Sequence, residues 1–312
     1  MVRPQGVATG SAPRCAPAGE PGDAPDPLSF AGVRLDRTRV MGVVNVTPDS
    51  FSDGGEAFAT DAAISRALAM VDAGADFIDI GGESTRPGSE GVAIDEELAR
   101  VVPVVAALAA RGVRISVDTR HPEVMAAALD AGAAIVNDIT ALTGDARSLP
   151  LVAGRRAGVV LMHMQGDPRT MQDAPCYDDA AADVRAWLTA RRDECLAAGV
   201  PAGQIALDPG IGFGKTVDHN LRILSRLAEY RALGCALLVG VSRKSFIARL
   251  SRSEPPQGRL AGSLAAALAA VARGAHIVRV HDVEATVQAL KVWSAIADPD
   301  TREPAPAGLQ SR

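Results

Sequence analysis

One stretch of the chain, Asp208–Thr216, combines the residue types that loops use to hold a ligand. Its sequence, DPGIGFGKT, contains a carboxylate, three glycines and a lysine, and it follows a short apolar run at 204–207. A lysine after a glycine-rich turn is typical of nucleotide phosphate loops, but that motif requires glycine where this chain has Pro209, and Gly210 is one residue out of register. The stretch therefore predicts a loop that holds a ligand other than ATP at the end of a buried strand.

Polar side chains follow the other apolar runs of the chain as well. The residues at these ends are, in chain order, Asn45, Asp79, Asp118, Asn137 with Asp138, His163, Asp208, the segment Ser242–Ser245, and Arg279 with His281. Any one of them is explained equally well as a polar residue that caps a strand or helix end. Together they predict one shared site, because such residues would converge where strand ends meet.

The chemistry of these residues divides into two groups. Asp118, Asn137 and Asp208 offer buried acceptors and one amide, which suits a flat heterocycle with several N–H donors and a carbonyl. The second group is cationic or neutral and suits an oxyanion such as phosphate or diphosphate. Its members are Asn45, Arg243, Lys244, Arg279 and His281, with Ser245 at the start of a short helix predicted over 245–250. No Cys/His metal pattern occurs, but Mg²⁺ bound to a diphosphate needs only one or two protein oxygens.

The elements that must position these residues repeat along the chain. Short apolar runs lie at 38–45, 77–80, 114–118, 135–138, 158–163, 205–208, 236–240 and 277–280. Ala-rich helical stretches follow them at 61–73, 95–111, 122–131, 148–157, 178–198, 217–233, 259–273 and 282–297. Strands that alternate with helices predict a parallel sheet, and eight such units predict an α/β protein with a single-domain (β/α)₈ TIM barrel. A doubly wound open sheet is the alternative, but the glycine-rich fingerprint after its first strand is absent.

Two loops after the first two strands are longer than barrel loops usually are. They span Val46–Thr60 and Gly81–Ile94, and both are rich in glycine. Each also carries Phe, Thr, Arg or Pro, residues better suited to contacts than to solvation. We expect both loops to act as mobile lids that close over a substrate.

Composition excludes several classes of protein. The net charge of −5 gives no basic footprint for nucleic acid, and no apolar run approaches the roughly 18 residues of a membrane span. The cysteines at 15, 176, 195 and 235 have neither disulfide nor metal spacing, which predicts a reducing, cytoplasmic location. Residues 1–30 are rich in Pro and Gly, which predicts a disordered tail. Residues 298–312 have a similar composition and predict a second flexible tail. The predicted barrel domain spans residues 31–297.

Eight motifs in order identify the chain as similar to the dihydropteroate synthase family of folate biosynthesis. They are MGVVNVTPDSFSDGG (41–55), DIGGESTRPG (79–88), SVDT (116–119), NDI (137–139), MHMQG (162–166), DPGIGFGK (208–215), GVSRKSFI (240–247) and RVHDV (279–283). The similarity runs from about Val40 to Trp293, nearly the whole predicted barrel.

The resemblance implies a transferase reaction and a set of roles. In the family, the amine of 4-aminobenzoate attacks the methylene carbon of (7,8-dihydropterin-6-yl)methyl diphosphate, and diphosphate leaves. By motif, the resemblance assigns the pterin ring to Asp118, Asn137, Asp208 and Lys244, and the diphosphate to Arg86, Arg279 and His281. It assigns Mg²⁺ to Asn45, and the 4-aminobenzoate pocket to Phe51, Thr85, Pro87, Phe213 and Ser245. Val280 is also assigned to substrate binding. Asp118, Asp208, Lys244, Arg279 and His281 are the residues to which we assign catalysis.

The resemblance also implies partners and leaves alternatives. Sulfonamides are expected to compete with 4-aminobenzoate. A homodimer is expected to form through late helices of the barrel. The segment Leu264–Val271 is a candidate for the dimer surface, although its pattern fits a stripe that packs in the core equally well. A non-catalytic pterin-binding relative and a corrinoid-dependent methyltransferase that uses a folate remain open. The methyltransferase has no need of the SRK and RVH cationic motifs, which favour the synthase.

Overall fold

A computed structural model describes residues 28–46, 55–83, 91–167 and 170–299. The strands are β1 (Ser29–Phe30), β2 (Val33–Arg34), β3 (Arg39–Asn45), β4 (Phe77–Gly81), β5 (Ile115–Asp118), β6 (Ile135–Asp138), β7 (Gly158–Met162), β8 (Ile205–Asp208), β9 (Ala236–Val239) and β10 (Ile277–Val280). The α-helices are α1 (Gly55–Asp72), α2 (Ile94–Ala109), α3 (Pro122–Asp130), α4 (Ser148–Arg155), α5 (Ala180–Ala197), α6 (Val217–Ser225), α7 (Ser245–Leu250), α8 (Leu260–Val271) and α9 (Val283–Ala297).

The last eight strands close into a parallel barrel, in the order β10-β3-β4-β5-β6-β7-β8-β9. This confirms the predicted TIM barrel, and each of the eight predicted apolar runs contains one barrel strand. The short helix predicted over 245–250 is also present, as α7. The stretch predicted as one helix over 217–233 is instead α6 followed by a 3₁₀ segment at Leu227–Leu233, divided at Arg226.

The barrel interior changes from apolar at its base to polar at its mouth. Side chains that alternate along the strands form one buried cluster, made of Met41, Phe77, Ile135, Val160, Ala206, Ala236, Leu238 and Ile277 together with Phe30 and Ala31. Residues two positions further along the same strands are polar in several cases, because the side-chain period of a strand is two. Asp79 follows Phe77 in this way, Asn137 follows Ile135, Asp208 follows Ala206 and Arg279 follows Ile277.

A hairpin that sequence analysis did not predict covers the base of the barrel. β1 and β2 pair antiparallel, and the ring of Phe30 lies 6.1 Å from that of Phe77. The amide of Ala31 donates to the carbonyl of Gly203 at 3.0 Å. The hairpin therefore brings Ser29 and Phe30, which fall inside the predicted tail, into contact with the barrel; residues 1–27 and 300–312 lie outside the described residues.

A second, larger apolar cluster lies between the strands and the surrounding helices. It includes Val44, Ile78, Val117, Val136 and Leu237, the strand residues that point outward. Helix α2 contributes a face of valines and Leu108 to it. None of the helices in the described part of the chain is long and apolar enough to cross a membrane.

Candidate active site

Strand register brings the first polar side chains together at the mouth of the barrel. Asn45 pairs with Gly81, Gly81 with Asp118, and Asp118 with Asn137. Neighbours in register point to the same side of a sheet, so these residues form one layer inside the barrel. Gly81 leaves room between its neighbours: a Cβ added there would stand 3.5 Å from Cβ of Asp118 and 3.8 Å from Oδ1 of Asn45.

Arg279 crosses the barrel and joins two carboxylates of this mouth. Its Nε donates to Oδ2 of Asp79 at 2.6 Å, and its Nη2 donates to Oδ2 of Asp118 at 2.6 Å. Asn137 donates from Nδ2 to the same Oδ2 of Asp79 at 3.0 Å. Asp79 is fully buried and Arg279 is only one-fifth exposed, so charge-assisted bonds here hold a fixed geometry.

Burial shifts the protonation of these groups. Loss of solvent raises the pKa of Asp118 to about 7, with Arg279 opposing the shift and Asp79 adding to it. Burial also raises the pKa of Asp208, against the bond it accepts from the amide of Gly210 and the nearby charges of Lys244 and Arg279. The pKa of Arg279 is raised because Asp79 and Asp118 outweigh the effect of burial, so its guanidinium remains charged.

On the other side of the mouth lie Asp208, Phe213 and Lys244. The amide of Gly210 donates to Oδ1 of Asp208 at 2.8 Å, within the loop that follows β8. Nζ of Lys244 lies 4.0 Å from the centre of the Phe213 ring, the geometry of a cation–π contact. Burial and the charge of Arg279 lower the pKa of Lys244 to about 8, while Asp208 and Asp118 oppose the shift. Lys244 is therefore mostly charged at pH 7.

His281 and Arg243 lie at the ends of β10 and β9. Nδ1 of His281 is 3.1 Å from the hydroxyl oxygen of Ser242. Burial, together with Arg279 and Arg243, lowers the pKa of His281 to about 3. Its imidazole is thus neutral near pH 7, so within the group predicted to be cationic or neutral His281 is a neutral member. Arg243 donates to both carboxylate oxygens of Asp282, at 3.0 and 2.5 Å, so its guanidinium is paired with protein rather than directed at a ligand.

The structure joins the two chemical groups that sequence analysis kept apart. Arg279 was assigned to the diphosphate and Asp118 to the pterin, yet the two side chains are hydrogen-bonded. The physical reason is that an unpaired buried arginine beside two buried carboxylates would be costly. Which ligand atom each of them contacts stays a prediction.

The remaining predicted residues fall into two sets. Val280 is buried, and Ser245 is exposed as the first residue of α7. Four predicted residues lie outside the described residues: Phe51, Thr85, Arg86 and Pro87. About half of each predicted lid also lies outside them, at 47–54 and 84–90. The end of the first predicted lid, residues 55–60, is not a loop but the first part of α1.

Sequence analysis missed two residues of the site. Asp79 was noted at a strand end but given no role, and its burial and the two hydrogen bonds that Oδ2 accepts, from Arg279 and Asn137, place it at the centre of the polar network. Its position two residues after Phe77 could have identified it as facing inward. Lys215 was noted only as part of the loop motif. Its side chain is 2% exposed, and no pattern in the sequence shows where such a lysine turns.

Among the described residues, two places offer ligands for a metal ion. Asn45 faces the mouth with one amide oxygen, which fits a cation held mainly by a diphosphate. Glu83, Glu97 and His121 also bring ligand atoms within 4.8 Å of one another. In that cluster Glu83 is paired with Arg120 at 3.1 Å and Glu97 with Nδ1 of His121 at 2.7 Å. The first bond joins the segment after β4 to the segment after β5, and the second joins α2 to the residue before α3.

The chain is similar to several known proteins along most of its length. The family described as pterin binding enzyme matches residues 41–281. A dihydropteroate synthase of Escherichia coli is 50% identical over 262 residues, which are 84% of this chain and 92% of that protein. The structure of the Xanthomonas albilineans dihydropteroate synthase with 4-aminobenzoic acid is similar, with TM-score 0.80, 49% identity, and coverage of 85% of this chain and 95% of that one. The structure of the Yersinia pestis dihydropteroate synthase with a sulfonamide drug complex is also similar, with TM-score 0.81, 46% identity, and coverage of 86% and 98%.

Proposed function

The chain belongs to the dihydropteroate synthase family of pterin-binding enzymes, and from this premise we propose how its residues share the reaction. The activity is the transfer of a dihydropterinylmethyl group to 4-aminobenzoate, a step of folate biosynthesis. The amine nitrogen forms a bond to the pterin methylene carbon, and the bond from that carbon to the diphosphate oxygen breaks. Diphosphate leaves with the electron pair, and the amine proton passes to diphosphate or water.

The pterin ring is held by the acceptors at the mouth. Asp118, Asn137 and Asp208 lie at the C-terminal ends of β5, β6 and β8, where carboxylate and amide oxygens can accept from ring N–H and amino groups. Lys244 supplies a donor to the ring carbonyl or nitrogen, consistent with its retained charge. A pterin that fills these bonds replaces water, so each missing partner would cost about 1–3 kcal/mol.

Arg279 and His281 hold the diphosphate, with Arg86 as a third residue that lies outside the described ones. Arg279 is already oriented by Asp79 and Asp118, so the guanidinium has little freedom to lose when an anion binds. His281, neutral near pH 7, donates a hydrogen bond or takes a proton from solvent when the diphosphate arrives. A fixed donor set aimed at the departing oxygen is the main way a site of this kind accelerates the reaction.

Carboxylates near the methylene carbon have a second effect. As diphosphate leaves, positive charge develops at that carbon, and the carboxylate of Asp208, which is not bonded to Arg279, stabilises it. 4-Aminobenzoate, or a sulfonamide in its place, binds beside Phe213 and Ser245. Phe51, Thr85 and Pro87 are assigned to the same ligand by their motifs and lie outside the described residues. When Mg²⁺ is bound it neutralises the diphosphate charge, and Asn45 is the residue that would hold it.

Two further proposals concern assembly and location. We propose a homodimer through the late helices, supported by exposed apolar side chains on α7, α8 and α9: Leu250, Leu260, Val292 and Ile296. The predicted surface Leu264–Val271 is divided, since Ala267 and Ala270 are buried and Ala265 and Ala269 exposed. A reducing cytoplasm is supported by the three free cysteines of the described residues, Cys176, Cys195 and Cys235.

The observation that supports the proposed function is that Asp118, Asn137 and Asp208 lie with Lys244 and Arg279 at one mouth of the barrel. The reaction itself is tested by mixing dihydropterin diphosphate with 4-aminobenzoate and measuring dihydropteroate and released diphosphate. A pterin-binding relative without activity would bind the pterin but release no diphosphate. A methyltransferase would require a corrinoid.

The division of roles is tested by calorimetry with 6-hydroxymethyl-dihydropterin and with its diphosphate. Asp208→Asn should weaken both ligands, because it removes an acceptor from the ring. Arg279→Ala should weaken binding of the diphosphate ester by at least about tenfold more than binding of the bare pterin, because it removes one charge-assisted contact with the diphosphate. Equal losses for the two ligands in Arg279→Ala would contradict the assignment of this residue to the diphosphate.

A further inference from the structure

The lysine of the glycine-rich loop does not face a ligand. Nζ of Lys215 lies 3.0 Å from the carbonyl oxygen of Gly210, 2.9 Å from that of Phe213 and 3.2 Å from that of His163. A fourth acceptor, Nδ1 of His163, is 3.0 Å away. An ammonium has three protons to donate, so these acceptors satisfy it completely.

The contacts of Lys215 connect the end of β7 to the loop after β8. His163 follows β7, while Gly210 and Phe213 belong to the loop itself. The other side of the loop is held by α6, where Oδ1 of Asn220 accepts from the amide of Gly212 at 2.8 Å. Lys215 therefore occupies the centre of a turn whose backbone carbonyls point inward.

The same loop contacts two residues assigned to the pterin, Asp208 and Lys244, and contains one assigned to 4-aminobenzoate, Phe213. Gly210, whose carbonyl binds Nζ of Lys215, donates its amide to Oδ1 of Asp208. Phe213, whose carbonyl also binds Nζ, presents its ring to Nζ of Lys244. A change at Lys215 would thus reach Asp208, Phe213 and Lys244 through bonds already present.

A buried lysine is stable as a charged group only while its donors are all hydrogen-bonded. Burial lowers the pKa of Lys215 to about 7, with Asp208 opposing and Lys244 adding to the shift. Burial and Lys215 lower the pKa of His163 to about 3, so its ring is neutral and can accept at Nδ1. A buried ammonium without such acceptors would be strongly destabilising.

We infer that Lys215 is a positioning residue for the dihydropterin site: by binding three loop carbonyls and His163, it fixes the loop that orients Asp208 and Phe213. It makes no contact with substrate itself. The inference rests on the proposed function, because the site it shapes is the proposed pterin site.

The test compares Lys215→Met with a matched loss elsewhere. Arg191 is also a buried cation that donates to loop carbonyls, those of Ala141 and Leu142, at 2.5 and 3.3 Å. Arg191→Met therefore controls for lost stability, which urea unfolding measures in both variants. We expect Lys215→Met to weaken calorimetric binding of 6-hydroxymethyl-dihydropterin by about tenfold. For Arg191→Met we expect a change within about twofold, because its carbonyl partners lie in a different loop.

Steady-state kinetics provides a second readout. The KM of Lys215→Met for dihydropterin diphosphate should rise by about tenfold. The KM for 4-aminobenzoate at saturating pterin should rise less, by up to about threefold, because of the two residues that the loop orients only Phe213 belongs to that pocket. Folded Lys215→Met with wild-type affinity for the bare pterin would overturn the inference. Equal losses in Lys215→Met and Arg191→Met would overturn it too, because they would indicate a general effect of stability.

A milder variant keeps the inference testable if Lys215→Met does not fold. His163→Leu removes one of the four acceptors and leaves the three carbonyls, so we expect binding of the bare pterin to weaken by about threefold. Unchanged affinity in folded His163→Leu would then count against the role of the cluster. Wild-type protein that binds no pterin would refute the proposed function instead, which separates the two failures.

Discussion

Asp79→Asn is the substitution that most directly tests the polar network of the mouth. Oδ2 of Asp79 accepts from Arg279 and from Asn137, and Asp79 is completely buried. The asparagine keeps the size of the side chain but removes the charge opposite Arg279. Its amide nitrogen must also occupy the position of Oδ1, which has no hydrogen-bond partner among the described residues.

The expected loss of stability follows from these contacts. Removing one partner of a buried ion pair costs about 3–5 kcal/mol. Here Arg279 keeps its bond to Asp118 and is 21% exposed, which reduces that cost. The unpaired amide adds back about 1–3 kcal/mol. We expect a decrease of about 2–4 kcal/mol in the free energy of unfolding, measured by urea denaturation at pH 7.

The functional effect distinguishes this network from general stability. Arg279 with a single carboxylate partner is less well oriented, so the KM for dihydropterin diphosphate should rise by about tenfold. The matched control is Asp76→Asn, at the opposite end of the same strand. Asp76 accepts from Arg37, Arg39 and the amide of Val40. This control should lose stability with KM unchanged within about twofold, since it lies away from the mouth. Asp79→Asn that loses under about 0.5 kcal/mol, or that leaves KM unchanged, would refute the reasoning.

Three other predictions concern the loop, acid stability and inhibition. Gly210→Ala should lower the free energy of unfolding by more than about 3 kcal/mol, because φ of Gly210 is +66° and an added Cβ would stand 1.9 Å from the carbonyl oxygen of His163. The control Gly112→Ala, at φ +74° with no atom near its added Cβ, should lower it by only about 1–2 kcal/mol. Similar losses for the two variants in urea denaturation would refute the steric argument. His281→Gln should lower the pH midpoint of acid unfolding, followed by circular dichroism. The pKa of His281 is about 3 in the folded state and about 6.5 in the unfolded state, so the wild type loses stability as the pH falls from 6.5 towards 3. An unchanged midpoint would show that His281 is not buried as a neutral group. A sulfonamide should inhibit competitively with 4-aminobenzoate in steady-state assays, because both are expected in the pocket beside Phe213; non-competitive inhibition would contradict a shared site.

The sequence by itself determined the barrel. Eight apolar runs, each followed by a helical stretch, leave few alternatives, because parallel strands need helical crossovers and a closed barrel buries every strand on both faces. The same pattern also predicted that several polar residues lie together at one mouth of the barrel. Asn45, Asp118, Asn137 and Asp208 all follow predicted strands, and the C-terminal ends of parallel strands must meet at one mouth. The hairpin of β1 and β2 was missed because two-residue strands are too short to show an alternating pattern.

Only the tertiary structure decided which polar groups pair. Arg279 and Asp118 are separated by 161 positions in the chain, and their bond depends on the distance across the barrel rather than on any local pattern. Lys215 shows the same limit: the sequence places a lysine after a glycine-rich turn, but four acceptors from two loops turn its Nζ inward. Strand periodicity fixes the face on which a side chain lies. The partner it meets there is fixed by the closure of the barrel and by the cost of leaving a buried charge unpaired.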